Sequence, residues 1–500
     1  MQEIKTVENN IKFSELEKKI YRLVCELGCV ILKTILENQD KILMENRDKK
    51  VYRHKGYRVN CIKTLMGEVE YKRAIYLVEK GKQKKHIFLL DKEINISVIG
   101  KISNNLAEKM LKTVVDTVSY RKGAEEIKTL TNDTISHEGL RDLVYQVGKE
   151  IEKKEKQLIK LHKEEKLYSG TKEIPALFEE ADGLWVNLQG KDRQEQIEKY
   201  KQKCEKQNKK YEPLTSVKSE LKLHVMHEGW EKDNKRHNLV NKEYIAGFMT
   251  PKTLEKIRNA KVYQKYKTES IQLRVLNGDG ANWIKNICTK NTIYQKDSFH
   301  IHQEIIRDIK EKEYQEELNK MLEQKRYKEI PKYIENLKYE LGGEEKIVKK
   351  LTTLQKYLKD GLPRYQEIAE EIPKAPDGIE YRDMGIMESQ IFTVLKVKLA
   401  SGRKSFSKKG ATYLSKVCAI YTETKGNIEI EKVESEIPID NSVEEYIQEI
   451  EKNVLANKKL HRTDLRETDE YKYAQAKIVE YNPQLKELLR LAEPTALIYR

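Results

Sequence analysis

The chain has 500 residues, of which 38% are hydrophobic and 35% charged, so it is too apolar for a disordered protein and too long for one ordinary core. Its 96 Lys and Arg residues exceed its 81 Asp and Glu residues, and the formal net charge of +15 favours a polyanionic partner such as nucleic acid. No apolar run has the length of a membrane span, and we expect a cytoplasmic, nucleoid-associated protein.

Residues 1–100 are predicted to form helices followed by a basic β-hairpin module. Apolar residues recur at helical spacing over residues 13–45. Apolar side chains then largely alternate over residues 67–77, and Met66-Gly67 supplies a turn from a strand over residues 58–63. The basic hairpin is therefore assigned to a DNA-binding region.

Residues 101–167 return to helical spacing, and residues 120–148 indicate two helices around a short turn. The turn would be residues 131–134, and Ser136 is a candidate N-cap of the second helix. A helix-turn-helix reader of DNA has this pattern, with its second helix in the major groove. Any other helical hairpin has it too, so both interpretations stay open.

Strand patterns begin after Tyr168 and predict an α/β core. A helix is predicted over residues 250–266, and strands are predicted over residues 176–188, 221–227, 237–248 and 271–278. Three strands, a helix and a fourth strand form the leading half of a ribonuclease-H-like core. The fold class is thus α+β, multidomain and mainly helical. Its remaining divisions are core residues 168–302, a charged helical insertion at 303–378, further core at 379–425 and a helical region at 426–500.

Three acidic residues fall on apolar faces of these elements. Two-residue alternation places Asp182 on the same face as Leu184 in the first core strand. Asp279 follows the strand over residues 271–278, at the carboxyl end where α/β sites lie. Helical spacing places Glu388 on a stripe with three apolar residues, Met384, Ile391 and Phe392.

Three carboxylates on buried faces indicate a shared cation, because an ionised carboxylate away from water needs a partner or a metal. Carboxylate oxygens are the ligands that Mg²⁺ and Mn²⁺ prefer, and one or two such ions can promote phosphodiester cleavage. Each acid also has an ordinary interpretation. Asp182-Gly183 and Asp279-Gly280 could be turns, and Glu388 could be an acid on a helix surface.

Three segments resemble the motifs of bacterial insertion-sequence transposases of the ISLre type, a DDE-type family related to the Mutator-like superfamily. The segments are Glu180-Ala181-Asp182-Gly183, Leu276-Asn277-Gly278-Asp279-Gly280-Ala281-Asn282-Trp283-Ile284 and Gly385-Ile386-Met387-Glu388-Ser389-Gln390. The resemblance extends from the basic hairpin to about Tyr413. It implies a ribonuclease-H-like catalytic domain with a helical insertion between the second and third acids. The spacings fit, since 97 residues separate Asp182 from Asp279 and 109 separate Asp279 from Glu388.

The resemblance implies that Asp182, Asp279 and Glu388 bind one or two Mg²⁺ or Mn²⁺ ions and cut at the ends of a mobile element. The released 3′ hydroxyl would then attack target DNA at the same site. Relatives also carry an acid or cysteine, two residues and a histidine after the second aspartate, and Asp297-Ser298-Phe299-His300 matches this motif. His300 would orient the substrate or the scissile phosphate. Alternatively, it is a helix-start histidine with Asp297 as the cap.

Residues 396–410 carry cations and no acid, which suits contacts to DNA phosphates beside a cutting site. The candidate DNA-binding residues are Lys396, Lys398, Arg403, Lys404, Lys408 and Lys409. A solvated basic loop is the alternative. A second basic stretch, residues 191–210, follows the first core strand.

We therefore expect a DNA transposase that acts on double-stranded DNA at element ends and target, as a homo-oligomer and without a membrane. One rival is a metal-dependent nuclease of the same fold that does not join DNA. Another is a non-enzymatic DNA-binding protein that uses the helix-turn-helix. A non-DNA role, such as a structural helical scaffold, would be supported if affinity for DNA lacked the salt dependence that phosphate contacts produce.

Overall fold

The computed structural model describes residues 12–426 apart from 81–82, 94–100, 118, 132–134, 235, 342–343 and 403. The described residues belong to one compact unit. The helices predicted after residue 426 lie outside the described residues, and so does the candidate DNA contact Arg403. No helix in the described ranges has both the length and the apolar character needed to cross a membrane.

A long helix and an antiparallel sheet form the N-terminal part of the described chain. Helix α1 (Phe13–Asn46) is followed by strands β1 (Arg53–Thr64), β2 (Gly67–Lys80) and β3 (Gln83–Ile87), and by helix α2 (Leu89–Glu93). The β1–β2 hairpin turns where Thr64 pairs with Gly67, as predicted, whereas β3 was not predicted. Asp40 of α1 accepts a hydrogen bond of 2.8 Å from the Ala74 amide, which fixes the helix on the sheet.

Helices α3 (Asn104–Thr117), α4 (Tyr120–Leu130) and α5 (His137–Lys163) come next. Ser119 caps α4 by accepting from the Lys122 amide, and Ser136 caps α5 by accepting from the Gly139 amide at 3.0 Å. The predicted Ser136 cap is therefore confirmed. Both helices of the predicted helix-turn-helix are present. Whether they bind DNA stays a prediction.

The central part of the chain is a mixed sheet with helices around it. Its elements in chain order are β4 (Ala176–Asn187), α6 (Gly190–Lys206), β5 (Lys218–His227), β6 (Trp230–Asp233), β7 (Arg236–Leu239), β8 (Glu243–Gly247), α7 (Pro251–Lys265), a 3₁₀ turn (Thr268–Ser270), β9 (Leu273–Gly278), α8 (Asn282–Lys285) and β10 (Thr292–Lys296). Among the described strands, the sheet order is β10-β9-β4-β5-β8. Strands β4, β9 and β10 run parallel, while β5 is antiparallel to both β4 and β8.

One local prediction in this part is wrong, and two features were not predicted. Residues 237–248 do not form one strand, because the chain turns at Asn241, which has φ +51°, between β7 and β8. The basic stretch over residues 191–210 is mostly helix α6, and its role in binding DNA stays untested. Strand β10 was not predicted, since its last two side chains, Gln295 and Lys296, are polar although buried.

The insertion between the second and third acids is helical, as predicted. It contains α9 (Ser298–Asp308), α10 (Lys312–Glu323), α11 (Ile330–Glu340), α12 (Glu345–Tyr357) and α13 (Tyr365–Ile368). The first four of these helices surround their own apolar cluster, which includes Ile305, Leu318, Ile334 and Leu354. Strand β11 (Ile379–Glu380) then pairs with β6 at the edge of a small sheet.

A helical run carries the third acid. It comprises α14 (Met387–Gln390), a π-helical turn (Ile391–Lys396) and α15 (Val397–Leu399), and we call residues 387–399 the Glu388 helix. Helix α16 (Lys408–Glu423) ends the described chain.

The mixed sheet is covered on both faces. Leu184 and Val186 of β4 belong to an apolar cluster with Leu140 of α5 and Val417 of α16. On the other face, Ala181 packs in a cluster with side chains of α7 and α8. Burial on both faces holds β4 rigidly, and β4 carries the first acid. The division into separate domains stays a prediction.

Candidate active site

Asp182 and Asp279 lie on neighbouring strands of the mixed sheet. The parallel pairing of β4 with β9 ends where Ala181 faces Gly278, and Asp182 is the next residue within β4, whereas Asp279 directly follows β9. The two carboxylates therefore lie side by side at the carboxyl end of β9, in the middle of the sheet. This position is where sites form in open α/β sheets.

Asp182 is almost fully buried, with 8% of its surface exposed. Burial and the charge of Asp279 raise its pKa to about 7, and Glu388 adds to the rise. The Gly183 amide, which donates to the carboxylate at 2.6 Å, and His300 act in the opposite direction. The ordinary interpretation of Asp182-Gly183 as a turn is wrong, because both residues lie inside β4.

Asp279 is held in a loop that the insertion helps to fix. Its carboxylate accepts a hydrogen bond of 2.7 Å from the Ala281 amide, and its carbonyl accepts one of 2.8 Å from the Tyr357 hydroxyl. Burial raises the pKa of Asp279, while the Ala281 amide and His300 lower it. Gly280 has φ +95°, so a turn does follow Asp279, and a Cβ there would lie 2.6 Å from the Tyr357 ring.

His300, in the first helix of the insertion, lies close to Asp182. Asp297 begins α9 and its carboxylate accepts from the Phe299 amide at 2.8 Å, which confirms the cap. His300 therefore lies in the first turn of α9, and its Nε2 is 3.9 Å from Asp182 Oδ2. Capping of α9 by Asp297 leaves the His300 ring close to Asp182. His300 can therefore lie at the start of the helix and still act in the site.

Glu388 lies near the two aspartates but on a surface. Its side chain is 47% exposed, and its Oε1 is 3.3 Å from Lys396 Nζ. The predicted apolar stripe is only partly present: Ile391 is buried, but Phe392 is 53% exposed. Met384 precedes the helix, which begins at Met387 after the chain turns at Gly385 with φ +135°.

A buried polar network connects the sheet to the start of the Glu388 helix. Glu180 is fully buried and accepts hydrogen bonds from the Gly385 amide at 3.2 Å and the Ile386 amide at 3.1 Å. Asn277 donates 3.0 Å bonds to Glu180 and to Asp297, so it joins β4 to the first turn of α9. Burial raises the pKa of Glu180 to about 7.

Sequence reasoning did not assign a role to Glu180 or Asn277, although both lie in the quoted motifs. The available signal was their parity: Glu180 shares a face with Asp182, and Asn277 shares one with Asp279. Polar residues two positions before the site acids, on the same faces, are candidates for residues that position them.

The donors fit a divalent cation by their chemistry. Three carboxylates supply the oxygen ligands that Mg²⁺ and Mn²⁺ prefer, and a cation would relieve the repulsion that raises the pKa of Asp182. Across the described residues, however, no group of three His, Cys, Asp or Glu side chains is arranged to hold an ion as the chain stands. Glu388 is instead paired with Lys396.

The predicted DNA-binding residues fall into three places. Lys396 pairs with Glu388. Lys398 and Lys404 border a common cavity. Lys408 and Lys409 form the first turn of α16, where the Lys408 amide donates to Asp192 at 2.8 Å.

The three tryptophans differ in exposure, and Trp283 packs against the apolar cluster that contains Ala181. Trp185 of β4 is 59% exposed, while Trp230 is buried. Trp283 donates from Nε1 to Glu220 at 3.2 Å, and the Lys222 ammonium lies 4.4 Å from its ring centre. Core packing thus accounts for Trp230 but not for Trp185.

Comparison with known proteins gives a family without a described activity. A family model described as an uncharacterised protein family, UPF0236, matches residues 6–436. A UPF0236 protein of Caldanaerobacter subterraneus subsp. tengcongensis, whose name joins eleven locus labels, is 22% identical over 435 residues, 84% of this chain and 80% of the relative. Another from that organism, whose name joins four labels, is 22% identical over 436 residues, 84% of this chain and 80% of the relative. A UPF0236 protein of Streptococcus gallolyticus, named for the 3′ region of vanSb, is 25% identical over 255 residues, 50% of this chain and 47% of the relative.

Proposed function

The chain belongs to the UPF0236 family, and from that premise we propose that it is a DNA transposase of the DDE type. It cleaves the ends of an insertion sequence and joins them to target DNA. The observation that carries this proposal is the position of Asp182 inside β4 beside Asp279 at the end of β9, with His300 and Glu388 close enough to influence the pKa of Asp182.

The topology of the sheet supports a ribonuclease-H-like core. Counted in chain order, its strands lie in the order three, two, one, four, five. A helix, α7, separates the third from the fourth, and the first, fourth and fifth run parallel. The family resemblance implies this kind of core, and the helical insertion lies where the resemblance expects it.

The residues have separable roles. Asp182, Asp279 and Glu388 would hold one or two Mg²⁺ or Mn²⁺ ions, which supply charge neutralisation at the phosphodiester and promote attack on phosphorus. Asp182 gives up its proton readily near pH 7, and His300 lies where it can donate to a substrate oxygen. Glu180 and Asn277 hold the start of the Glu388 helix against the sheet. Such chemistry depends on positioning and electrostatics and needs no nucleophilic side chain.

The names of two relatives support a mobile element. Names that join eleven and four locus labels indicate one protein encoded at several positions of one genome. Multiple copies are expected of a gene that moves by transposition.

The test is cleavage and joining by the purified full-length chain. A supercoiled plasmid carrying the regions that flank the gene is incubated with Mg²⁺ or Mn²⁺, and broken and joined ends are mapped by sequencing. Asp182→Asn, Asp279→Asn and Glu388→Gln should each lower cleavage on the order of 100-fold or more, since each removes a ligand.

The exposed acid Asp377 provides a matched control, because it has no role in this arrangement. Asp377→Asn should keep full activity. Cleavage without joining would instead favour the nuclease of the same fold. Sequence-specific binding without any metal-dependent cleavage would favour the non-enzymatic DNA-binding protein.

A further inference from the structure

A cavity lies between helices α4 and α5 and the basic residues after Glu388. Its volume is about 600 Å³. Its polar lining includes Ser119, Arg121, His137, Lys398, Lys404 and Ser405. Two of these residues were predicted as DNA contacts, while Arg121 and His137 were not. The cavity thus joins two regions that the sequence treats as separate.

The positive charges of this cavity meet no carboxylate in its lining. No Asp or Glu is among the described residues that line it. The Lys398 ammonium donates to the Thr393 carbonyl at 2.8 Å, and the Lys404 ammonium donates to the Val397 carbonyl at 3.1 Å. Burial and the charge of Lys398 lower the pKa of Lys404. A bound anion would relieve this repulsion.

Two helix N-termini open into the same space. Ser119 caps α4, whose first turn contains Arg121, and His137 is the first residue of α5. The free amides and the dipole of a helix N-terminus favour an anion. Glu138 lies outside the lining, with its carboxylate exposed and 3.6 Å from the His137 ring.

We propose that this cavity binds phosphates of the DNA backbone and so sets the position of the duplex relative to the three acids. The inference rests on the proposed function, which makes DNA the ligand. Lys398 follows Glu388 by ten residues on the Glu388 helix. At about 1.5 Å per residue, Lys398 is about 15 Å from Glu388 along the helix. Phosphate contacts fix position without reading bases.

The experiment compares Arg121→Gln with Lys122→Gln in the full-length chain. Lys122 is exposed, adjacent on α4 and outside the cavity lining, so its variant has the same change of charge. Binding to a short duplex of random sequence is measured by fluorescence anisotropy between about 50 and 200 mM salt. Arg121→Gln should weaken binding about five- to tenfold near 0.1 M salt and reduce the salt slope by about 0.9. Lys122→Gln should change affinity by less than about twofold, since it loses no phosphate contact.

Equal losses for the two variants would overturn the site, since only overall charge would then matter. A second arm adds excess inorganic phosphate at constant ionic strength. Free phosphate should displace the duplex more readily from the parent than from Arg121→Gln, and equal displacement from both would also overturn the site. Lys398 lines the other side of the cavity, and Lys398→Gln should weaken duplex binding and reduce the salt slope as Arg121→Gln does. These outcomes are independent of cleavage: a chain that binds as expected but never cuts contradicts the proposed function and leaves this inference standing.

Discussion

Protonation of Asp182 makes the stability of the protein depend on pH. Its pKa is raised from 3.8 to about 7, so the folded state keeps a proton that the unfolded chain releases at lower pH. The resulting stabilisation is fully present below about pH 4 and is lost as the pH rises through 7. Near pH 8 the buried carboxylate is ionised beside Asp279, which destabilises the metal-free protein.

Asp182→Asn should therefore stabilise the metal-free protein at pH 8. The expected gain in the free energy of unfolding is roughly 2–4 kcal/mol, at about 1.4 kcal/mol for each tenfold change in proton affinity. Near pH 4 the variant and the parent should be equally stable. Urea denaturation at the two pH values measures the difference. A gain that is the same at both would contradict the raised pKa, and Asp377→Asn should give no gain at either.

At the scale of residues, the sequence predicted Asp182 and Asp279 because strand alternation and strand ends are local features. It predicted Glu388 by helical spacing, yet the apolar stripe used for that prediction is half exposed. Parity marks Glu180 as a candidate, but its hydrogen-bond partners were not predictable in this way. Its carboxylate accepts hydrogen bonds from amides that lie 205 and 206 residues later in the chain. A local sequence pattern cannot predict such a contact.

At the scale of elements, the Glu388 helix depends on the sheet for its position. The amides of Gly385 and Ile386 begin the run and donate to Glu180, which lies two residues before Asp182 on the same strand face. One strand therefore provides the first acid and also holds the helix of the third.

Glu180→Ala should lower cleavage by about 10- to 100-fold, as is usual for a residue that orients metal ligands. The Mg²⁺ concentration needed for half-maximal rate should rise, whereas DNA affinity should stay within about twofold, since Glu180 is buried away from DNA. Glu180→Gln keeps an acceptor oxygen and should restore most of the rate. A uniform loss of rate with an unchanged Mg²⁺ requirement would indicate only a structural role.

Most elements of the core were predictable, because apolar patterns define β4, β5, β9 and α7. Strand β10 was missed for a physical reason. Gln295 donates to Asn277 and accepts from the Tyr365 amide, and the buried Lys296 ammonium donates to the Tyr357 carbonyl and to Asp360. These long-range bonds make two polar side chains acceptable in a buried strand. The same bonds attach the insertion to β10, which pairs with the strand that precedes Asp279.

At the scale of the whole molecule, metal binding should be visible as stabilisation. Mg²⁺ binds only the ionised carboxylates, so it competes with the proton that Asp182 holds up to about pH 7. At 100 times its dissociation constant, Mg²⁺ should raise the free energy of unfolding by about 2.7 kcal/mol. Thermal unfolding should show a larger Mg²⁺-induced shift at pH 8 than at pH 6. Asp279→Asn should lose the shift, and an equal shift in that variant would place the metal elsewhere.

The long insertion also has a consequence for how the protein is made. Glu388 is synthesised 109 residues after Asp279. At about 5–20 residues per second, a ribosome needs roughly 5–20 s to cover that interval. Throughout it, the nascent chain can pair β4 with β9 and bring two aspartates together, but it has no third acid. A chain that ended within the insertion would thus contain both aspartates and all five strands of the mixed sheet, but neither Glu388 nor α16, which covers one face of β4.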